Sequence, residues 1–212
     1  MAGGPTALGR PAGAVGEQTR LRIIDAAMRC VAEVGYSRAS IREIARAAGM
    51  TSGSLYHYFP NKADLLKATD DEIERIVLPR LRAAAARSDD ITDRLEAVLD
   101  ESRLLNRDHP SLATFLRARR AQGSTRLRHT GPSYPGSKAL RVVVTEIVED
   151  ARAHGALLSE TSVTAAVDAI CALTRGLSEQ AARLPADAYA ATLDSAKQLL
   201  RGTLFATPTA SA

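Results

Sequence analysis

Residues 40–59 read SIREIARAAGMTSGSLYHYF, and their pattern decides the architecture. Ser40 and Glu43 have the spacing of a capping box, in which the serine oxygen takes one orphan N–H of a helix start and the glutamate takes another. Ile41, Ile44, Ala45 and Ala48 then recur on one face, and Gly49 closes the helix with the left-handed residue a tight turn needs. A second, shorter helix is expected from near Thr51 to just before Pro60. Ala45 and Ala48 let the two helices cross closely. Such a helix-turn-helix presents the face and N-terminal end of its second helix to a DNA major groove.

Working outward, 17–34 is strongly helical, with Leu21, Ile24, Met28 and Val31 three or four apart, and Gly35 stops it before Tyr36. Residues 1–16 read as a flexible arm without the charged start and continuous apolar run of a signal peptide. Downstream, Asn61 caps a fourth helix, with Asp64 near its positive end. That helix runs through Leu65, Leu66 and Ile73 toward Arg80, and Pro79 must kink it or divide it. Further helices are expected at about 92–106, after Pro110, at 137–154 up to Gly155, at 161–184 and at 185–205. A loop is expected at 123–136 and a flexible tail at 207–212. The fold class is therefore all-α, with about nine helices: a three-helix helix-turn-helix domain over 17–62 and a second helical domain over 63–206.

Composition agrees. Aromatic residues are 4 %, there is no Trp, and Ala, Leu and Arg fill long stretches in the manner of helices. No run approaches the roughly 20 apolar residues of a membrane span. Cys30 and Cys171 lie far apart in helical patterns, without metal-ligand spacing, and read as small core residues in a reducing cytoplasm. Through Lys62 the chain carries eight basic residues against four acidic ones, which accounts for the whole net charge of +4. A basic excess confined to the segment with the helix-turn-helix is the footprint of phosphate binding.

The run from Ile24 and Ala27 through Gly35-Tyr36, Ser40–Ala45, Ala48-Gly49, Gly53, Leu55–Phe59, Asn61-Lys62 and Leu65-Leu66 resembles the DNA-binding domain of the TetR family. The resemblance covers roughly 17–66, under a quarter of the chain. It implies a dimeric repressor that leaves a near-palindromic operator in double-stranded DNA when a small-molecule effector binds. It places Thr51, Ser52, Gly53 and Ser54 at the start of the recognition helix, where small residues let the backbone approach the groove. Tyr56 and His57 would face the sugar-phosphate backbone or a thymine methyl, and Lys62 a phosphate. Arg38 and Ser40 stand at the start of the second helix, whose N–H groups favour anions. Arg42 is the nearest long donor, since the recognition helix itself has no Arg to grip guanine. Leu55 and Phe59 are expected in the core. Arg10 reads either as a minor-groove contact or as part of a solvated tail.

Dimerisation is expected through 161–184 and 185–205. Val163, Val167, Ile170, Thr174, Leu177, Ala181 and Leu184 form one stripe, and Tyr189, Leu193, Ala196, Leu200 and Leu204 another. The resemblance makes these a four-helix bundle across a two-fold axis; the alternative is an intramolecular core. Polar residues interrupting apolar stripes, Ser102, Arg119 and Thr174, are the candidate effector contacts. His109 to Thr145 holds no acidic residue but includes Arg117, Arg119, Arg120, Arg126, Arg128, Lys138 and Arg141. This points to an effector with an anionic group on an apolar body, or else to a solvated basic face.

No catalytic or metal-binding constellation is legible. His57, His109, His129 and His154 belong to no close acid–base or metal motif, and phosphate-binding glycine loops and nucleophile elbows are missing. An enzyme is not expected, nor a cofactor. The rival reading is a helical interaction protein with a vestigial helix-turn-helix.

Overall fold

The computed structural model describes residues 12–126 and 135–205, and all regular structure among them is α-helical. In order, the helices are α1 (Ala12–Val34), α2 (Ile41–Ala47), α3 (Ser52–Tyr58), α4 (Lys62–Ala85), α5 (Ile91–Asp108), α6 (Pro110–Arg126), α7 (Pro135–Ala153), α8 (Val163–Gln180) and α9 (Ala186–Arg201). The chain divides into two compact units after Thr69, within α4. The sequence boundary at 62/63 falls two turns earlier, at the α4 cap. Leu65 and Leu66, both buried, group with the first unit.

In the first unit the buried face of α1 comprises Ile23, Ile24, Ala26, Ala27, Cys30 and Val31. It is broader than the Leu21–Met28 stripe, because a helix on a small core buries a wide arc of its surface. Ile44, Ala45 and Ala48 of α2, Leu55 of α3 and Phe59 complete that core. Gly49 turns the chain at φ 68°, and Met50 N–H reaches back to the Ala45 carbonyl at 3.0 Å. A β-carbon is strained in that left-handed region, so glycine is required by backbone sterics. The expected arm is shorter than 1–16, since α1 is already formed at Ala12. Glu17 and Gln18 are good helix formers, and Thr19 Oγ1 donates to the Val15 carbonyl at 3.0 Å. Arg10 and the 207–212 tail lie outside the described residues.

The second unit packs the remainder of α4 with α5–α9. Its core includes Ile73, Val77 and Leu81 of α4, Val98, Leu99 and Leu105 of α5, and Phe115 of α6. Val143, Val144 and Ile147 of α7 and Val167 and Leu177 of α8 are also buried. Leu99, Leu177, Leu193 and Ala196 form one cluster among α5, α8 and α9. Pro79 lies inside a continuous α4 and does not divide it. Three of the sequence-drawn ends move. Helix α6 continues to Arg126, past Gly123, and the rest of the expected 123–136 loop up to residue 134 lies outside the described residues. Helix α8 stops at Gln180, short of 184. Helix α9 stops at Arg201, because Gly202 takes φ 68° and Thr203 N–H bonds the Gln198 carbonyl at 2.9 Å, a glycine stop that makes Leu204 non-helical.

The stripes expected to mediate dimerisation are largely turned inward. Val167, Thr174, Leu177, Tyr189, Leu193 and Ala196 are buried within the single chain. Other faces are exposed: the small residues Ala165, Ala169, Ala172 and Gly176 on α8, and Ala188, Ala191 and Ser195 with the large apolar Leu199 on α9.

Candidate nucleic-acid interface and ligand cavity

The α2 start is a complete capping box. Glu43 N–H donates to Ser40 Oγ at 3.2 Å, while Glu43 Oε2 accepts from Ser40 N–H and from Ser40 Oγ, both at 2.8 Å. These bonds from Ser40 hold the Glu43 carboxyl below the ordinary glutamate range. The Ser40 hydroxyl thus caps α2 as read, and the Glu43 carboxylate already occupies the positive helix end where an anion was expected. A group with a depressed folded pKa stabilises the fold above its unfolded value and loses that contribution as pH falls through the folded value. Ser40→Ala is expected to cost about 1 kcal/mol of first-unit stability. It should also reduce the loss of stability on acidification below the glutamate range, read from urea unfolding at neutral and acidic pH.

Helix α3 is capped by Thr51, whose Oγ1 accepts from Ser54 N–H at 3.1 Å and lies 2.9 Å from Ser54 Oγ. Leu55 and Phe59 anchor it, being 0 % and 3 % exposed. Thr51, Gly53, Ser54, Tyr56 and His57 are exposed, and Ser52 is half-buried. Tyr56 is 51 % exposed, unusual for a large aromatic ring. The His57 ring meets Tyr58 edge-on at 6.0 Å. A β-carbon at Gly53 would meet nothing nearer than Thr51 Oγ1 at 3.9 Å. The fold leaves that position open.

The cations sort into two kinds. Lys62 Nζ donates to the Tyr36 carbonyl at 2.7 Å and sits 5.0 Å from the centre of the Tyr36 ring. Burial holds its ammonium below the ordinary lysine range. Lys62 therefore straps the start of α4 to the α1–α2 turn, a role its sequence position did not reveal. Asn61 caps α4 as expected, Oδ1 accepting from Asp64 N–H at 2.9 Å. Arg38 Nε donates to the Val34 carbonyl at 3.1 Å. Arg42 is exposed, and so is Arg46 one turn on, which the sequence reading passed over although its i, i+4 spacing from Arg42 puts both on one face. Neither makes a hydrogen bond or ion pair among the described residues.

Within the second unit, a cavity of about 70 Å³ is lined by Val77, Leu81, Leu105, Leu112, Leu116 and Leu140, among other residues. Ser102 and Thr174, two of the residues that interrupt the apolar stripes, line it. Arg119 does not. Its guanidinium pairs with Asp70, and burial keeps the Asp70 carboxyl above the ordinary aspartate range despite that partner. The arginines on the cavity are Arg117 and Arg175, joined by Asn106, Ser178 and Glu179. Arg117 belonged to the basic run, but Arg175, Asn106 and Ser178 flank the apolar stripes and gave no separate signal. Side chains of Arg120, Arg126 and Arg128 lie outside the described residues. Among the described residues, no His, Cys, Asp and Glu cluster could hold a metal ion, and no helix is long and apolar enough to cross a membrane.

Residues 23–69 match the family model described as bacterial regulatory proteins, tetR family. Over 85 residues the chain is 39 % identical to the HTH-type transcriptional regulator BetI of Escherichia coli O17:K52:H18, covering 38 % of this chain and 43 % of that protein. It is 46 % identical over 46 residues to the fatty acid metabolism regulator protein of Bacillus subtilis, covering 22 % of this chain and 24 % of that protein. The chain thus spans less than half the length of these curated relatives. The fold is similar to that of the transcriptional regulator FadR from Bacillus subtilis, solved in complex with stearoyl-CoA. That likeness has a TM-score of 0.69 at 21 % identity, covering 87 % of this chain and 99 % of that one. Salmonella enterica GusR gives a TM-score of 0.64 at 23 % identity, with 94 % and 99 % covered. Both are likenesses of fold.

Proposed function

We infer that this chain, a member of the TetR family of bacterial regulatory proteins through residues 23–69, is a homodimeric repressor that leaves a near-palindromic operator when a small molecule fills the cavity of its second unit. The observation that carries the DNA-binding reading is the exposed α3 surface. A half-exposed tyrosine, an exposed histidine and an open glycine lie on a helix whose apolar side chains are fully spent on its own core. Arg42 and Arg46 supply cations for the phosphates, while base reading relies on Thr51, Ser54, Tyr56 and His57 through methyl contacts, water and groove shape.

Dimerisation is supported by the exposed faces of α8 and α9. A single helix-turn-helix reads too few base pairs to compete with a genome, so a second copy is required. The alanine and glycine row of α8 allows the close helix approach that a two-fold bundle demands, and the exposed Leu199 of α9 offers apolar surface to bury there. The effector acts by linkage: a ligand preferring the arrangement that misplaces the reading heads weakens DNA binding by the factor that DNA weakens its own binding. Helix α4 is the lever in this reading, since Val77 and Leu81 line the cavity and the same helix begins at Lys62.

The test is fluorescence anisotropy on DNA from upstream of the gene at several salt concentrations. The parent is expected to prefer a near-palindrome and to lose affinity steeply as salt rises. Tyr56→Ala should weaken specific binding by roughly tenfold or more, on the scale of one lost base or backbone contact, without lowering thermal stability. Arg42→Ala and Arg46→Ala should each flatten the salt slope by about 1. A well-folded monomer indifferent to every upstream fragment at low salt would instead identify a helical interaction protein.

A further inference from the structure

The polar groups around the cavity are sharply divided between acceptors and donors. Ser102 Oγ donates to the Val98 carbonyl at 2.8 Å, Thr174 Oγ1 to the Ile170 carbonyl at 2.9 Å, and Ser178 Oγ to the Thr174 carbonyl at 3.0 Å. Each hydroxyl has one proton, spent on its own helix, so toward the cavity it can only accept. The donors come from other residues. Asn106 Nδ2 is buried without a hydrogen-bond partner among the described residues. Arg175 lines the same cavity and makes no hydrogen bond or ion pair among the described residues. Arg117 has one guanidinium nitrogen on Thr114 Oγ1 at 3.3 Å and others to spare. Glu179 already has a partner.

Leaving a buried amide N–H unsatisfied carries a cost that a matching acceptor recovers. The walls between these polar groups are valine and leucine. The cavity, about 70 Å³, is small but not closed, so it seats a chain of a few carbons and leaves a longer tail a way out. We propose that the cavity takes a short apolar carboxylic acid bearing a hydroxyl or N–H donor on its chain. The carboxylate accepts from Arg175 and Asn106, and the chain donor bonds the oxygens of Ser102 and Thr174. This rests on the effector reading above and replaces its broad anionic amphiphile with one head group, one donor and a size.

Calorimetric titration of the full chain, paired with displacement from upstream DNA, tests it. The probes are 3-hydroxybutanoate, 3-hydroxyhexanoate, butanoate and hexanoate, with the amide of each acid. The hydroxy acids are expected to bind best and to release DNA. Arg175→Gln should weaken the acids about tenfold and leave the amides unchanged, as loss of a charge-assisted bond requires. Arg175→Lys should restore part of that loss and shows whether the glutamine variant is merely misfolded. Ser102→Ala combined with Thr174→Val should bring each hydroxy acid down to its unsubstituted parent. Amides that bind and release DNA as well as acids, or acids indifferent to Arg175→Gln, would overturn the head-group assignment while leaving the effector reading intact. Operator affinity that no compound alters, charged or neutral, would overturn both.

Discussion

Leu55→Ala is expected to abolish operator binding and to lower the stability of the first unit by about 3 kcal/mol, the usual scale for a large-to-small change at a fully buried leucine. Helix α3 has seven residues, far fewer than an isolated helix needs to persist in water. Its position therefore depends on its anchors: the Thr51 cap at one end, Leu55 at 0 % exposure in the middle and Phe59 at 3 % at the other end. Truncating the middle anchor removes apolar burial and opens a cavity beneath the exposed residues of α3. A domain whose total stability is on the order of 5–15 kcal/mol cannot lose that much without unfolding far more readily. Urea titration with parallel anisotropy measures both effects. Leu55→Met, which conserves volume, should cost under about 1.5 kcal/mol and retain binding. An alanine variant with the parent's urea midpoint and affinity would show that α3 is held by something other than its core face.

The second large effect is expected at Arg80. Its Nε meets Glu101 Oε1 at 2.6 Å and its Nη2 meets Asp108 Oδ2 at 3.0 Å, tying α4 to two turns of α5. The Glu101 side chain is only 7 % exposed, and its other cation, Arg87, stands at 3.8 Å. Arg80→Ala leaves a buried carboxylate with one distant partner. Breaking a buried pair from one side costs about 3–5 kcal/mol, and because Arg80 is itself 31 % exposed, solvent brings the expectation to about 2–3 kcal/mol. Replacing both partners by apolar residues, Arg80→Met with Glu101→Leu, should recover most of that loss, because no charge is then stranded. Thermal unfolding of the single and double variants reads the difference directly. Equal destabilisation in both would mean that the pair acts through packing and not through charge. The arginine follows Pro79, where α4 lacks one backbone donor, so the clamp falls on the helix's weakest turn.

The first unit was the more legible because its instructions are local. A serine and a glutamate three apart, a glycine in a turn and a threonine before a short helix each act on neighbours a few residues away. The first two form as read, and Thr51, read only as a helix start, is the cap of α3. What the sequence hid is non-local. Arg119 interrupts an apolar stripe just as Ser102 and Thr174 do, but Asp70, forty-nine positions upstream, captures its side chain. Lys62 carries the charge expected of a phosphate contact, yet Tyr36 takes one of its donors. The α8 and α9 stripes could be drawn from periodicity, whereas which side meets the chain's own core depends on Leu99 and its neighbours in α5. Periodicity gives a helix two faces without saying which of them stays wet.

Glycine inside a helix is less favourable than alanine by about 1 kcal/mol, and the space beside Gly53 would admit a methyl group without a clash. The contacts around α3 thus make no demand for glycine at that position. On the DNA-binding reading proposed above, libraries varied at residue 53 are expected to yield altered DNA targets among proteins that keep the parent's stability, read by anisotropy and urea unfolding side by side.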